Sequence, residues 1–139
     1  MKNLFLGLFL IVFFLNSNAQ ITQWRGPNRD GIFRDSALLT SWPEDGPQLI
    51  LEVEKIGKGY SSPILVGDMI YTTGMIDTLD YLTAIDLDGN IKWQIPYGRS
   101  WNKSFPDTRS TPTIDGDKIY VQSGTGKLSC INRETGAVI

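Results

Sequence analysis

The chain has 139 residues, with 13 basic against 15 acidic side chains and a formal net charge of −2 at pH 7. So slight an acidic balance gives no electrostatic reason to expect nucleic acid or an anionic membrane surface as partner. There is no histidine and one cysteine, Cys130. Those counts exclude a Ser-His-Asp or Cys-His catalytic set, His-ligated zinc and an intrachain disulfide.

Residues 1–19 read as a secretory signal peptide. Met1-Lys2-Asn3 is a short basic start, "LFLGLFLIVFFL" (4–15) is apolar, and Ser17 and Ala19 stand where a signal peptidase reads. Twelve residues are too few to cross a hydrocarbon core, which needs about 20, so no membrane span is expected after cleavage. The mature chain is expected in the periplasm or outside the cell, with Gln20 as its first residue. Residues 20–47 are rich in Gly, Pro, Asn and Asp and carry two tryptophans, the composition of a loop or arm. This arm either covers the end of the fold or, through Trp24 and Arg25, lines a surface site.

From residue 48 the polarity alternates. "QLILEVEKI" (48–56) sets Leu49, Leu51 and Val53 on one face and Glu52 and Glu54 on the other, which predicts a strand. "YSSPILVGDMIYTTG" (60–74) is then echoed by "RSTPTIDGDKIYVQSG" (109–124), and "YLTAIDLDGNIKW" (81–93) by "KLSCINRETGAVI" (127–139). Each copy reads as four short strands separated by Gly-Asp or Asp-Gly turns; in the first they fall near 61–66, 69–74, 80–86 and 90–95. The first copy has the longer loop, "MIDTLD" against "TGK". No helical period appears. A four-stranded repeat of about 45 residues has the size of one propeller blade. The expected fold is therefore all-β, a β-propeller of four-stranded antiparallel blades: a closing strand at 48–56, a blade at 59–95, a connector at 96–107 and a blade at 108–139. Two blades and one strand cannot close a ring, so the chain is expected to be the N-terminal part of a longer protein. The connector, "PYGRSWNKSFPD", is long and aromatic, and long loops often carry function. Tyr97, Arg99 and Trp101 are candidate ligand contacts there, beside Trp24 and Arg25. Cys130, in the alternating "KLSCIN", is expected to be a buried small side chain.

"AIDLDGNIKWQ" (84–94) tests a calcium reading. An EF-hand loop needs Gly at its sixth position and Glu at its twelfth. Counting from Asp86 puts Gly89 fourth and Tyr97 twelfth, and the flanks are strands. The turn reading explains more. Asp86 caps the backbone, Gly89 takes a positive φ, and Trp93 offers a large face to a neighbouring sheet. The second copy supplies Asn132 and Gly136 at the matching turn.

With these motifs the chain resembles the PQQ-like, or quinoprotein-type, β-propeller repeat family, in which a repeat similar to A-x-D-x-x-T-G-x-x-x-W docks each blade on the next. "QWRGPNRDG" (23–31) is similar to the opening of many secreted bacterial members. The resemblance implies blade-docking roles for Asp86, Gly89, Trp93, Asn132 and Gly136. It does not by itself fix a function. The expected function is a non-catalytic binding or scaffolding module whose protein or small-molecule ligand the motifs do not name. The alternative is part of a PQQ-dependent alcohol or sugar dehydrogenase, with quinone and Ca²⁺ on the propeller axis. No residue of this chain matches a catalytic, cofactor or metal motif of such enzymes, so no cofactor is evident and PQQ with Ca²⁺ enters only under that alternative.

Overall fold

The computed structural model describes residues 21–34 and 36–139; the expected signal peptide lies outside the described residues. The strands are β1 (Ile21–Thr22), β2 (Ile64–Val66), β3 (Met69–Ile76), β4 (Leu79–Asp86), β5 (Ile91–Arg99), β6 (Thr113–Asp115), β7 (Lys118–Gln122) and β8 (Leu128–Asn132). They form two antiparallel sheets. The first has the order β2-β3-β4-β5; the second is the meander β6-β7-β8, with the two-residue β1 paired on the free side of β6. The chain is all-β, with no helix among the described residues.

Turn chemistry fixes the registers. Val66 pairs with Met69 and Asp115 with Lys118, across two-residue turns that begin at Gly67 and Gly116, both at φ +58°. A hairpin turn that needs positive φ at its first central residue favours glycine there. The expected "MIDTLD" loop is instead strand. Ile76 pairs with Leu79 around the tight turn Asp77-Thr78, so β3 and β4 reach 8 residues each where β7 and β8 have 5. The insertion thus lengthens a hairpin. Likewise β5 continues through Pro96 to Arg99, past the end expected for the first repeat. Irregularities at Asp80/Tyr81 and Ala84/Ile85 keep β5 paired with β4, and Pro96 is tolerated because β5 is an edge strand.

Burial separates the two sheets. In β3 and β4 the central residues are buried without alternation, whereas β7 alternates strictly, with Ile119 and Val121 inside and Lys118, Tyr120 and Gln122 outside. The first sheet is therefore covered on both faces and the second on one. Between the sheets lies the core: Ile64, Tyr71, Leu82, Ala84 and Tyr97 meet Ile114, Ile119, Val121 and Ile131. Burying a side chain of this size stabilises by about 1.5–3 kcal/mol. On its other face the first sheet meets residues 51–57, where a cavity is lined by Leu51, Val53 and Ile56 against Ile70, Thr72 and Ile85.

The strand expected over 48–56 does not form. Leu51 and Val53 turn inward and Glu52 and Glu54 outward, but Leu49, expected on the same face, is exposed, and no described strand lies alongside to complete a ladder. What holds this segment is contact with the first sheet. An added Cβ on Gly74 would come within 1.9 Å of the Ile56 carbonyl oxygen, and one on Gly89 within 2.9 Å of Leu51 Cδ1. The second sheet repeats both approaches: a Cβ on Gly124 would lie 2.2 Å from the Trp101 nitrogen, and one on Gly136 3.0 Å from Trp93 Cδ2. Residues 51–57 thus stand to the first sheet as 93–101 stand to the second.

The two matched turns are built alike. The Asp86 carboxylate accepts from the backbone N–H groups of Asp88 (3.1 Å) and Asn90 (2.8 Å), and from the Asn90 side chain (3.0 Å). Asn132 Oδ1 accepts from the N–H groups of Glu134 (3.1 Å) and Thr135 (2.9 Å). Gly89 and Gly136 close the turns at φ +86° and +73°. Trp93 is half-buried beneath Gly136, with its ring 6.0 Å from that of Tyr71 and tilted by 44°. Hydrogen bonds from Asn90, with lesser help from Lys92, hold the Asp86 carboxyl below its ordinary value of 3.8. A carboxyl lowered by folding lends stability above its unfolded pKa and loses it as pH falls through the folded one. The part of acid destabilisation that appears below about pH 4 is expected to shrink in Asp86→Asn, as chemical denaturation at pH 3 and pH 7 will read.

Candidate ligand-binding groove

The segments that lead into the two sheets run side by side. Gly59 and Thr108 form a parallel bridge, the Tyr60 N–H donates to the Thr108 carbonyl (2.8 Å), and the Ser62 N–H donates to Thr111 Oγ1 (3.0 Å). The same bond recurs in each repeat: the Thr73 N–H donates to Ser61 Oγ (3.2 Å) and the Gln122 N–H to Ser110 Oγ (3.1 Å). The repeats are thereby aligned residue by residue at this edge, with Tyr60 beside Arg109 and Ser62 beside Thr111.

Over this edge lies a cavity of about 510 Å³, a size ordinary for small-ligand sites. Tyr60, Ser62, Arg109 and Thr111 line it together with Trp24 and Arg29 of the arm. Arg109 is also a wall of a second cavity, of about 470 Å³, which continues toward Trp101 and Gln122. The two cavities share Arg109 and are together called the groove; Trp24 lines the first and Trp101 the second.

The arm is held by its own turns. The Gly26 N–H donates to the Gln23 carbonyl (3.1 Å), the Arg29 N–H to the Gly26 carbonyl (3.1 Å), and the Gly31 N–H to the Arg25 carbonyl (2.9 Å). The Ile32 N–H donates to Asp30 Oδ1 (2.9 Å). "WRGPNRDG" is therefore a wound double turn, and Arg29 sits in it at φ +59°.

The five expected contacts do not converge. Trp24 lines the first cavity, but Arg25 lies over its ring, 5.9 Å from the centroid, and Arg29 reaches the cavity in its place. Trp101 lines the second cavity, with its Nε1–H donating to the Ser104 carbonyl (2.9 Å). Arg99 and Trp101 share a further small cleft, and the Arg99 carbonyl receives the Thr125 N–H (3.2 Å). Tyr97 belongs to the core. It is 1% exposed, and its hydroxyl is 3.1 Å from Thr108 Oγ1. "PYG" reads as a loop, but the irregular β4–β5 pairing carries it on as strand and turns the ring inward.

Burial, with Asp80 as a smaller cause, pushes the Tyr97 phenol from 10.0 up to about 12. A group whose pKa is raised by folding is stabilising below its unfolded value and loses that contribution as pH rises toward the folded one. Unfolding free energy is accordingly expected to fall by about 2–3 kcal/mol between pH 10 and 12. Tyr97→Phe will lack that share of the decline in denaturation curves taken across this range.

A second buried polar group ties the sheets together. Asp80, fully buried in β4, accepts from Ser100 Oγ (2.5 Å) and from the Gly124 N–H of the second sheet (2.7 Å). The sequence gives no sign of it, because the Gly124 bond spans 44 residues. Arg109 had a visible signal: it replaces Tyr60 in an otherwise matched repeat, and the two positions face one groove.

Calcium takes 6–8 oxygen ligands. No three His, Cys, Asp or Glu side chains converge on a metal position among the described residues, and the Asp86 oxygens are engaged in their turn. Nor is any helix among the described residues long and apolar enough to cross a membrane. Comparison with protein-family models and with curated proteins gives no match for this chain.

Proposed function

We propose that the chain is part of an exported PQQ-like β-propeller acting as a non-catalytic binding or scaffolding module. The observation that carries this reading is the repeated joint: Gly74 and Gly89 against residues 51–57, and Gly124 and Gly136 against residues 93–101. A contact that recurs in step with a sequence repeat is the mark of units stacked in series. Segment 51–57 and the two sheets are then consecutive members of a ring, and the groove opens over the inner leading segments of two of them. The apolar run at 4–15 supports export to the periplasm or beyond. The docking roles of Asp86, Gly89, Trp93, Asn132 and Gly136 follow from the same reading.

The alternative is part of a PQQ-dependent alcohol or sugar dehydrogenase. Titrating the purified protein with PQQ and Ca²⁺ in the presence of alcohols or sugars and a redox dye distinguishes the two. No dye reduction is expected. Tight quinone binding with substrate-dependent reduction would overturn the non-catalytic reading.

A further inference from the structure

We infer that the groove is a binding site for an acidic oligosaccharide, a chain of sugar rings bearing carboxylates. The inference rests on the binding-module reading and gives its ligand a chemical class. Arg29 and Arg109 reach the same cavity from different segments. Among the described residues the ion pair present is Lys92–Asp86, so neither arginine meets a carboxylate within ion-pair distance. Two like charges lining one cavity repel each other, and an anion between them removes the repulsion. A guanidinium also matches a carboxylate with two parallel hydrogen bonds.

Part of the backbone strain lies in the same place, three of the six described non-glycine residues at positive φ, the others being Ala37, Lys55 and Asp77. Arg29 (φ +59°), Phe105 (φ +44°) and Asp107 (φ +80°) are non-glycine residues in left-handed conformations, in the two loops that present the arginines. A side chain there is disfavoured by about 1–2 kcal/mol, and such strain gathers where a ligand is held. The Arg109 guanidinium donates to the Phe105 carbonyl of the same loop.

The remaining lining selects a sugar over a simple anion. Tyr60 is 74% exposed at the cavity, and Trp24, with Arg25 over one face of its ring, is 59% exposed; aromatic faces left in water suit the apolar faces of sugar rings. Ser62 and Thr111 supply hydroxyls that both donate and accept, as sugar hydroxyls do. Because Arg109 lines both cavities, a chain of more than one ring can meet it from either side.

Calorimetric titration of the whole protein with trigalacturonate, and with its fully methyl-esterified form, tests the assignment. The acid is expected to bind at least tenfold more tightly than the ester. Arg29→Gln and Arg109→Gln are each expected to weaken binding at least tenfold, with thermal unfolding checked for both. Arg133→Gln, in a cleft away from the groove, removes the same charge and is expected to leave binding unchanged. No binding, equal binding of the ester, equal weakening by Arg133→Gln, or loss in only one of the two groove variants overturns the assignment. So does displacement by inorganic phosphate at comparable concentration. Failure here leaves the non-catalytic reading standing, since that reading falls only to quinone-dependent turnover.

Discussion

Replacing Asp80 with alanine is expected to cost about 2–3 kcal/mol, because it strands the buried Ser100 hydroxyl and removes a link between the sheets. The carboxylate has no exposed surface and receives the Ser100 hydroxyl and the Gly124 N–H. Asp80→Ala leaves the buried Ser100 hydroxyl without its partner and breaks the Gly124 bond at the exposed end of the network. Asp80→Asn keeps the shape and one acceptor oxygen for Gly124, while its amide can donate to Ser100 Oγ. It should cost about 1–2 kcal/mol. Small domains are stable by only about 5–15 kcal/mol, so the alanine variant loses a large share of the total and its melting temperature falls by about 10 °C or more. Equal melting temperatures for Asp80→Ala and the parent would show that the network is not formed.

Gly136→Ala is expected to destabilise by about 2–3 kcal/mol through two separable causes. Alanine at φ +73° is strained by about 1–2 kcal/mol wherever it stands. Its Cβ would also lie 3.0–3.3 Å from three carbons of the Trp93 indole, so the ring must give way. A double-mutant cycle separates the two. In a Trp93→Ala background the crowding disappears and the backbone strain remains, leaving about 1 kcal/mol or more as coupling between positions 43 residues apart. Strict additivity would mean that the indole does not lie under Gly136.

The parts of the fold legible in the sequence are those that local chemistry controls. The Gly-Asp turns at 67–68 and 116–117 set the hairpins, and the alternation in "KIYVQ" shows which residues of β7 face in. The parts that were not legible depend on distant neighbours. Residues 48–56 have a strand's alternation but no ladder, since a strand forms only where another chain segment offers an edge. Tyr97 looked like a loop aromatic because Pro96 and Gly98 flank it, and only the irregular pairing with β4 reveals that it is core. Asp80 could not be separated from the surface aspartates, as its partners come from the end of β5 and from the second sheet.

The groove was half legible. Trp24 and Trp101 stood out as aromatics in long segments, and both line it. Arg25 stood out equally and stacks on Trp24 instead, because the double turn at 23–31 directs Arg29 inward. Tyr60 and Arg109 lie inside the repeat itself. Aligning the two copies brings them to the same position, where one places an aromatic face and the other a cation.

All of these effects depend on the two sheets being one packed unit that shares the core between Leu82 and Ile119. Native-state amide hydrogen exchange tests that most directly. Thr72, Thr73 and Leu82–Ala84 of the doubly covered sheet should exchange slowest, and Ile119–Val121 should open with them at the same free energy. Separate opening, with the second sheet exchanging as freely as residues 23–47 while the first stays protected, would contradict the account.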